Sequence, residues 1–117
     1  MTQSDCLFCK IIAGEIPSTV VHETDTTFAF RDLHPQAATH VLIVPRAHYT
    51  DAVDLAKNAP ALLDDITLAA GEIAGQEGIA ESGYRLVFNT GADAGQTVFH
   101  THLHLLGGEQ LGHFGRP

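Results

Sequence analysis

Apolar and polar residues alternate along Val98-Phe99-His100-Thr101-His102-Leu103-His104-Leu105-Leu106. A period of two marks a strand, whose residues i, i+2 and i+4 share one face. The pattern predicts a strand over 98–106, with His100, His102 and His104 in a row spaced about 6.5–7 Å apart, since a strand rises about 3.3 Å per residue. Thr101, Leu103 and Leu105 then face a core. Four more β-prone runs precede it: Thr19–Glu23, Thr26–Asp32, His40–Pro45 and Tyr84–Asn89. Thr24-Asp25 is turn chemistry, so the first two form a hairpin. The third run is apolar enough to be buried on both faces. Helical spacing appears at Leu62, Leu63, Ile66, Ala69, Ala70, Ile73 and Ala74, with Pro60 suited to the first turn. Gly71 and Gly75 weaken that helix and suggest close approach to a sheet. Two short helices are expected as well, one over Cys6–Ala13 capped by Ser4, the other capped by Thr50 and ending near Asn58. Five strands arranged in runs around one long helix argue for an antiparallel α+β fold.

A chain of 117 residues, 44% of them apolar, is expected to form a single domain, 1–117. The formal net charge is −8, and the six Lys and Arg residues are scattered. A nucleic-acid partner is therefore not expected. A small phosphate ligand remains compatible with an acidic chain if local N–H groups and imidazoles meet it. Met1-Thr2-Gln3-Ser4-Asp5 lacks a positive n-region and no long apolar run follows. No signal peptide or membrane partner is expected, and the cytoplasm is the expected compartment.

The histidine row carries the first candidate chemistry. Three imidazoles packed together in a core leave nitrogens in need of partners, at about 1–3 kcal/mol for each one missed. Two histidines at i, i+2 can ligate zinc, and a neutral imidazole near pH 7 can serve in catalysis. From these residues alone both remain open. The loop signal Gly95-Gln96-Thr97 adds backbone N–H groups suited to an anion. Cys6 and Cys9 form a Cys-x-x-Cys, either a metal half-site or a redox pair. Redox pairs of this kind open a helix after a strand, and no strand is expected before Cys6.

His100-Thr101-His102-Leu103-His104-Leu105-Leu106 resembles the signature of the histidine triad (HIT) family, with Thr101 where an apolar residue is usual. Further blocks resemble its Hint-like branch, the purine nucleoside phosphoramidases: Lys10 to Pro17, Phe30-Arg31-Asp32, Pro35-Gln36-Ala37, Thr39-His40, Gly83-Tyr84-Arg85, Gly95-Gln96-Thr97 and Leu106-Gly107-Gly108. The resemblance implies a HIT-like fold, with one long and one or two short helices on a five-stranded antiparallel sheet, joined across a homodimer. It implies a purine nucleotide substrate and a hydrolase that releases AMP from adenosine 5′-phosphoramidates or aminoacyl-adenylates. His102 would be the nucleophile, forming a nucleotidyl-histidine. His100, His104 and His40 would complete the catalytic histidines. Asn89, Gln96, Thr97 and His104 would surround the phosphate, and Thr97 would deliver a proton. Asp32 would hold the ribose, and Leu7, Phe8, Ile11, Phe30 and Leu33 would line the base pocket. Cys6, Cys9, His48 and His100 would hold a structural zinc ion, as in many bacterial relatives. His22, His34 and His113 match no family role and read as surface residues. A dinucleoside polyphosphate hydrolase of the Fhit type, and a nucleotide-binding module without turnover, are the competing readings.

Overall fold

The computed structural model describes residues 5–113. Helix α1, Leu7–Ile12, comes first, then β1, Val20–Glu23, β2, Thr27–Arg31, and β3, Thr39–Pro45. Helices α2, Ala52–Asn58, and α3, Pro60–Gln76, follow, and β4, Tyr84–Val87, and β5, Leu103–Gly107, close the chain. The strands form one antiparallel sheet in the order β1-β2-β3-β5-β4. The α+β expectation holds. Among the described residues no helix is long and apolar enough to cross a membrane.

The sheet separates two apolar clusters. Ala29, Val41, Ile43, Leu103 and Leu105 face α3 and meet Ile66, Ala69, Ala70, Ile73 and Ala74. On the opposite face Phe28, Phe30, Leu42 and Val44 meet Cys6, Phe8, Cys9 and Ile11 of the α1 region. β3 is buried along its whole length, as its unbroken apolar run predicts. In the register Leu42 faces His104, so the second face is the one that carries histidines.

Several local expectations shift. Strand β5 begins at Leu103, five residues late, so only His104 of the row lies on a strand. The β3–β5 ladder ends at Ile43 and Leu103. Pro45, further along β3, has no N–H to extend it, and its carbonyl accepts from the His100 ring instead. The cap of α2 is Asp51, not Thr50: Asp51 Oδ1 accepts from the Asp54 amide at 2.9 Å, and Asp54 Oδ2 accepts from the Thr50 amide at 2.9 Å. This reciprocal pair satisfies two orphan amides at once. Ser4 lies outside the described residues, and Cys6 holds the N-cap position of α1, its Sγ accepting from the Cys9 amide.

The two glycines of α3 do not mediate close packing. A Cβ at Gly71 or Gly75 meets nothing within 4 Å, and the small residues against the sheet are alanines. Gly71→Ala and Gly75→Ala are each expected to stabilise the protein by about 1 kcal/mol, because alanine removes the helix penalty of glycine without a clash. Urea unfolding midpoints check this.

Candidate active site

His100 and His102 lie in the irregular segment before β5 and point to different neighbourhoods. His100 is fully buried. Its Nε2–H donates to the Pro45 carbonyl at 2.8 Å, so its Nδ1 carries a lone pair. That lone pair stands 3.5 Å from both Cys6 Sγ and Cys9 Sγ, and His48 Nδ1 stands 3.5 Å from Cys9 Sγ. Donor atoms of all four residues lie within 4.8 Å of one another. A tetrahedral ion with bonds of about 2.3 Å to sulfur and about 2.0–2.1 Å to nitrogen sets such atoms about 3.5 Å apart, so this donor set fits a closed metal site. Burial pushes His100 down to about 4, against the pull of the Pro45 carbonyl, so its lone pair stays available.

His102 turns the other way. Its Nδ1–H donates to the His100 carbonyl at 2.8 Å, leaving a lone pair on Nε2. Burial lowers its proton affinity, so the ring is neutral near pH 7. Phe8 packs edge-on against it, with ring centroids 5.0 Å apart. His104 lies beside it, also at 5.0 Å between centroids, closer than a flat row predicts.

The state of His104 is set from outside the row. The Gln36 amide donates to His40 Nδ1 at 3.0 Å, so neutral His40 carries its proton on Nε2. That Nε2–H points at His104 Nδ1 at 2.9 Å, with Asp32 Oδ2 at 3.5 Å. His104 Nδ1 therefore accepts, and its proton sits on Nε2. That buried Nε2–H meets no hydrogen-bond partner among the described residues. Asp32, His40 and His104 also have the side-chain spacing of a metal site. The proton on His40 Nε2 argues for a hydrogen-bonded chain there instead.

A cavity of about 360 Å³ holds His102 and His104 together with Asp32 and Thr97, and all five expected base-pocket residues, Leu7, Phe8, Ile11, Phe30 and Leu33, line it. Leu33 is 84% exposed at its lip. The size and the largely apolar lining suit a small ligand. Asp32 Oδ1 accepts from the His34 amide at 2.8 Å, which orients the carboxylate. His34, read as a surface residue, is exposed and also belongs to the lining, and His22 bonds Glu72 at 2.9 Å.

Two expected phosphate residues stand apart from this cavity. Gln96 is buried within its loop: Oε1 accepts from the Gly91 amide, and Nε2 donates to the carbonyls of Thr50 and Val98. Its own amide and that of Gly95 are spent on Gly91 and Ala92, so the expected anion nest is half closed. Gly95 adopts φ +93°, open to glycine, where the chain leaves a single 3-10 turn, Ala92–Ala94. Asn89 follows the end of β4 outside the lining. Sequence reasoning missed the Gln36 amide and the Pro45 carbonyl, both backbone groups without a side-chain signal.

Burial, followed by the neighbouring His102 and His40, lowers His104 to about 4 from 6.5. The folded state thus binds its proton less readily than the unfolded chain. Stability from this group is complete above pH 6.5 and is lost as pH falls towards 4. One unit equals about 1.4 kcal/mol, so the loss approaches roughly 3 kcal/mol. Denaturation midpoints between pH 7 and 4 should show this slope, and His104→Gln should reduce it, leaving the part due to His100.

The fold and the site define a class: a small α+β protein that sets a neutral, oriented histidine in a ligand-sized cavity. The HIT domain family matches residues 13–111, and the chain belongs to that family. It is 47% identical to the purine nucleoside phosphoramidase of Escherichia coli (strain K12) over 108 residues, 92% of this chain and 91% of the relative. A HIT family hydrolase from Clostridium thermocellum superimposes with a TM-score of 0.91 at 47% identity, covering 95% of this chain and 96% of that one. A histidine triad protein from Clostridium difficile gives 0.93 at 41% identity, covering 98% and 100%. The protein is an enzyme, a HIT family hydrolase closely related to the E. coli phosphoramidase.

Proposed function

We propose that the enzyme hydrolyses the P–N bond of adenosine 5′-phosphoramidates, or the acyl-phosphate bond of aminoacyl-adenylates, through a nucleotidyl group on His102. The observation that carries this reading is the 2.8 Å bond from His102 Nδ1–H to the His100 carbonyl, which leaves Nε2 as a lone pair in a protein-lined cavity. Nε2 attacks the α-phosphorus, the P–N bond breaks, and its electron pair leaves on the amine nitrogen. The Thr97 hydroxyl delivers the proton that nitrogen needs. Water then attacks the same phosphorus, the electron pair of the P–Nε2 bond returns to the imidazole, and the proton released by the water restores the Thr97 hydroxyl. Two easier steps replace one hard one.

The unpartnered His104 Nε2–H supplies a fixed donor to a phosphoryl oxygen, where charge develops. His40 keeps that proton in place. Asp32 accepts from the ribose hydroxyls, and Leu7, Phe8, Ile11, Phe30 and Leu33 enclose the base. Gln96 acts from behind by clamping the loop that presents Thr97. Asn89 enters this account from the family resemblance alone.

Cys6, Cys9, His48 and His100 hold a structural zinc ion in this reading. The ion fills no catalytic role, since four protein donors leave no open position. Strand β4 lies at the sheet edge with Tyr84 and Leu86 exposed. We assign that edge to a second copy of the chain, because such an edge invites strand pairing. The unbridged cysteine pair suits the cytoplasm.

Turnover of adenosine 5′-phosphoramidate against a diadenosine polyphosphate tests the assignment. The expected result is AMP release from the phosphoramidate at a kcat/KM at least a hundredfold higher. Preference for the dinucleotide moves the enzyme to the Fhit type. AMP binding without turnover of either removes this substrate assignment.

A further inference from the structure

We propose that the Cys6–Cys9 pair is a peroxide-sensitive switch on the nucleophile, acting through His100; the catalytic half of this proposal rests on the nucleotidyl-His102 reading above. Three observations carry it. The first is access. Cys6 and His48, with Asp5, Leu7, Thr50, Thr97, Val98 and Phe99, line a separate cavity of about 480 Å³, wide enough for a small oxidant. It shares only Leu7, Thr97 and Val98 with the nucleotide cavity, so an occupied nucleotide site does not block it.

The second is spacing. Cys6 caps α1 and Cys9 lies in its first turn, with the Cys9 amide on Cys6 Sγ at 3.4 Å and both sulfurs 3.5 Å from the same His100 nitrogen. Both are thiols. A Cys-x-x-Cys at the start of a helix closes a disulfide within one turn.

The third is transmission. His100 uses its ring Nδ1 in the thiol cluster and its carbonyl to hold His102 Nδ1–H. The segment joining these contacts precedes the β5 ladder, so side chains and a few loop bonds fix it, among them Thr101 to the Tyr49 carbonyl. Removing two of the four donors loosens one end of that segment, and the His102 ring is held at the other.

The chemistry balances with hydrogen peroxide as oxidant. The Cys6 thiolate attacks one peroxide oxygen, the O–O bond breaks, and hydroxide leaves, giving a sulfenic acid. The Cys9 thiolate then attacks the Cys6 sulfur and displaces the second oxygen as hydroxide, which is protonated to water. Two thiols lose two electrons and two protons, and one peroxide becomes two waters. A dithiol reductant reverses the step.

The test treats the zinc-loaded, full-length enzyme with hydrogen peroxide and reads four quantities. A chromogenic chelator measures released zinc, intact mass measures the loss of two hydrogens, kcat is followed on adenosine 5′-phosphoramidate, and AMP affinity is measured by calorimetry. The expected result is one zinc released per chain, a Cys6–Cys9 disulfide, a fall in kcat of at least tenfold with AMP affinity changed less than twofold, and recovery with dithiothreitol and zinc. Cys9→Ser cannot close the disulfide, so peroxide should add a single oxygen to it, with no loss of two hydrogens and no zinc to release. Zinc and thiols that persist through a hundredfold excess of peroxide overturn the proposal. So does a disulfide that leaves kcat unchanged. Failure of the nucleotidyl-His102 reading is distinct, because it already appears as absent turnover in the untreated enzyme.

Discussion

His102→Ala is expected to lower kcat for adenosine 5′-phosphoramidate by at least about ten-thousandfold, since loss of a nucleophile removes the covalent route and leaves only binding and the fixed donors. The KM should change little. The apolar base pocket, Asp32 and the His104 Nε2–H all survive the truncation, and they make the ground-state contacts. The ring is in edge contact with Phe8, and its neighbour His104 is held from the far side by His40, so the cavity keeps its walls. Steady-state rates with an AMP-binding control separate loss of chemistry from loss of binding. A variant that retains a tenth of the wild-type kcat contradicts the assigned nucleophile.

Metal removal carries the second large effect. A ligand present at about a thousand times its dissociation constant stabilises the folded state by about 4 kcal/mol. For a domain of this size each kcal/mol moves Tm by about 4 °C, so stripping zinc is expected to lower Tm by roughly 15 °C. The effect falls short of complete unfolding because the α3-side cluster, from Ala29 to Leu105, contains neither cysteine. The α1-side cluster contains both thiols and loosens. Thermal unfolding with added zinc and with chelator, on the wild type and on Cys9→Ser, checks this. The variant should resemble the chelated protein and should not respond to zinc. A wild-type Tm indifferent to chelator contradicts a structural ion at this cluster.

The framework was readable because burial writes itself into periodicity. β3 and α3 stand where unbroken apolar runs and 3.6-residue spacing put them. The histidine row departs from its alternation in one respect. Alternation reports which residues could share a face, and it is silent on whether a partner strand exists. Here the ladder stops at Leu103, and the row splits between a thiol cluster and a ligand cavity. The chain from the Gln36 amide through His40 joins His104 to residues 64 or more positions before it, and no local pattern announces it. Gln96, placed at the phosphate by the family resemblance, has its side chain bonded to the Gly91 amide of its own loop and to the Thr50 carbonyl. The family resemblance supplied the role of His102 that nine residues alone left open between metal and catalysis.

The central claim is a covalent nucleotidyl group on His102, and the stereochemical course at phosphorus tests it most directly. Each in-line displacement inverts the configuration. A chiral phosphorothioate analogue of adenosine 5′-phosphoramidate, hydrolysed in isotopically labelled water, should give product with retention overall, the sum of two inversions. Net inversion would mean that water attacks the substrate directly, and His102 would then be a base or a binding residue but not the nucleophile.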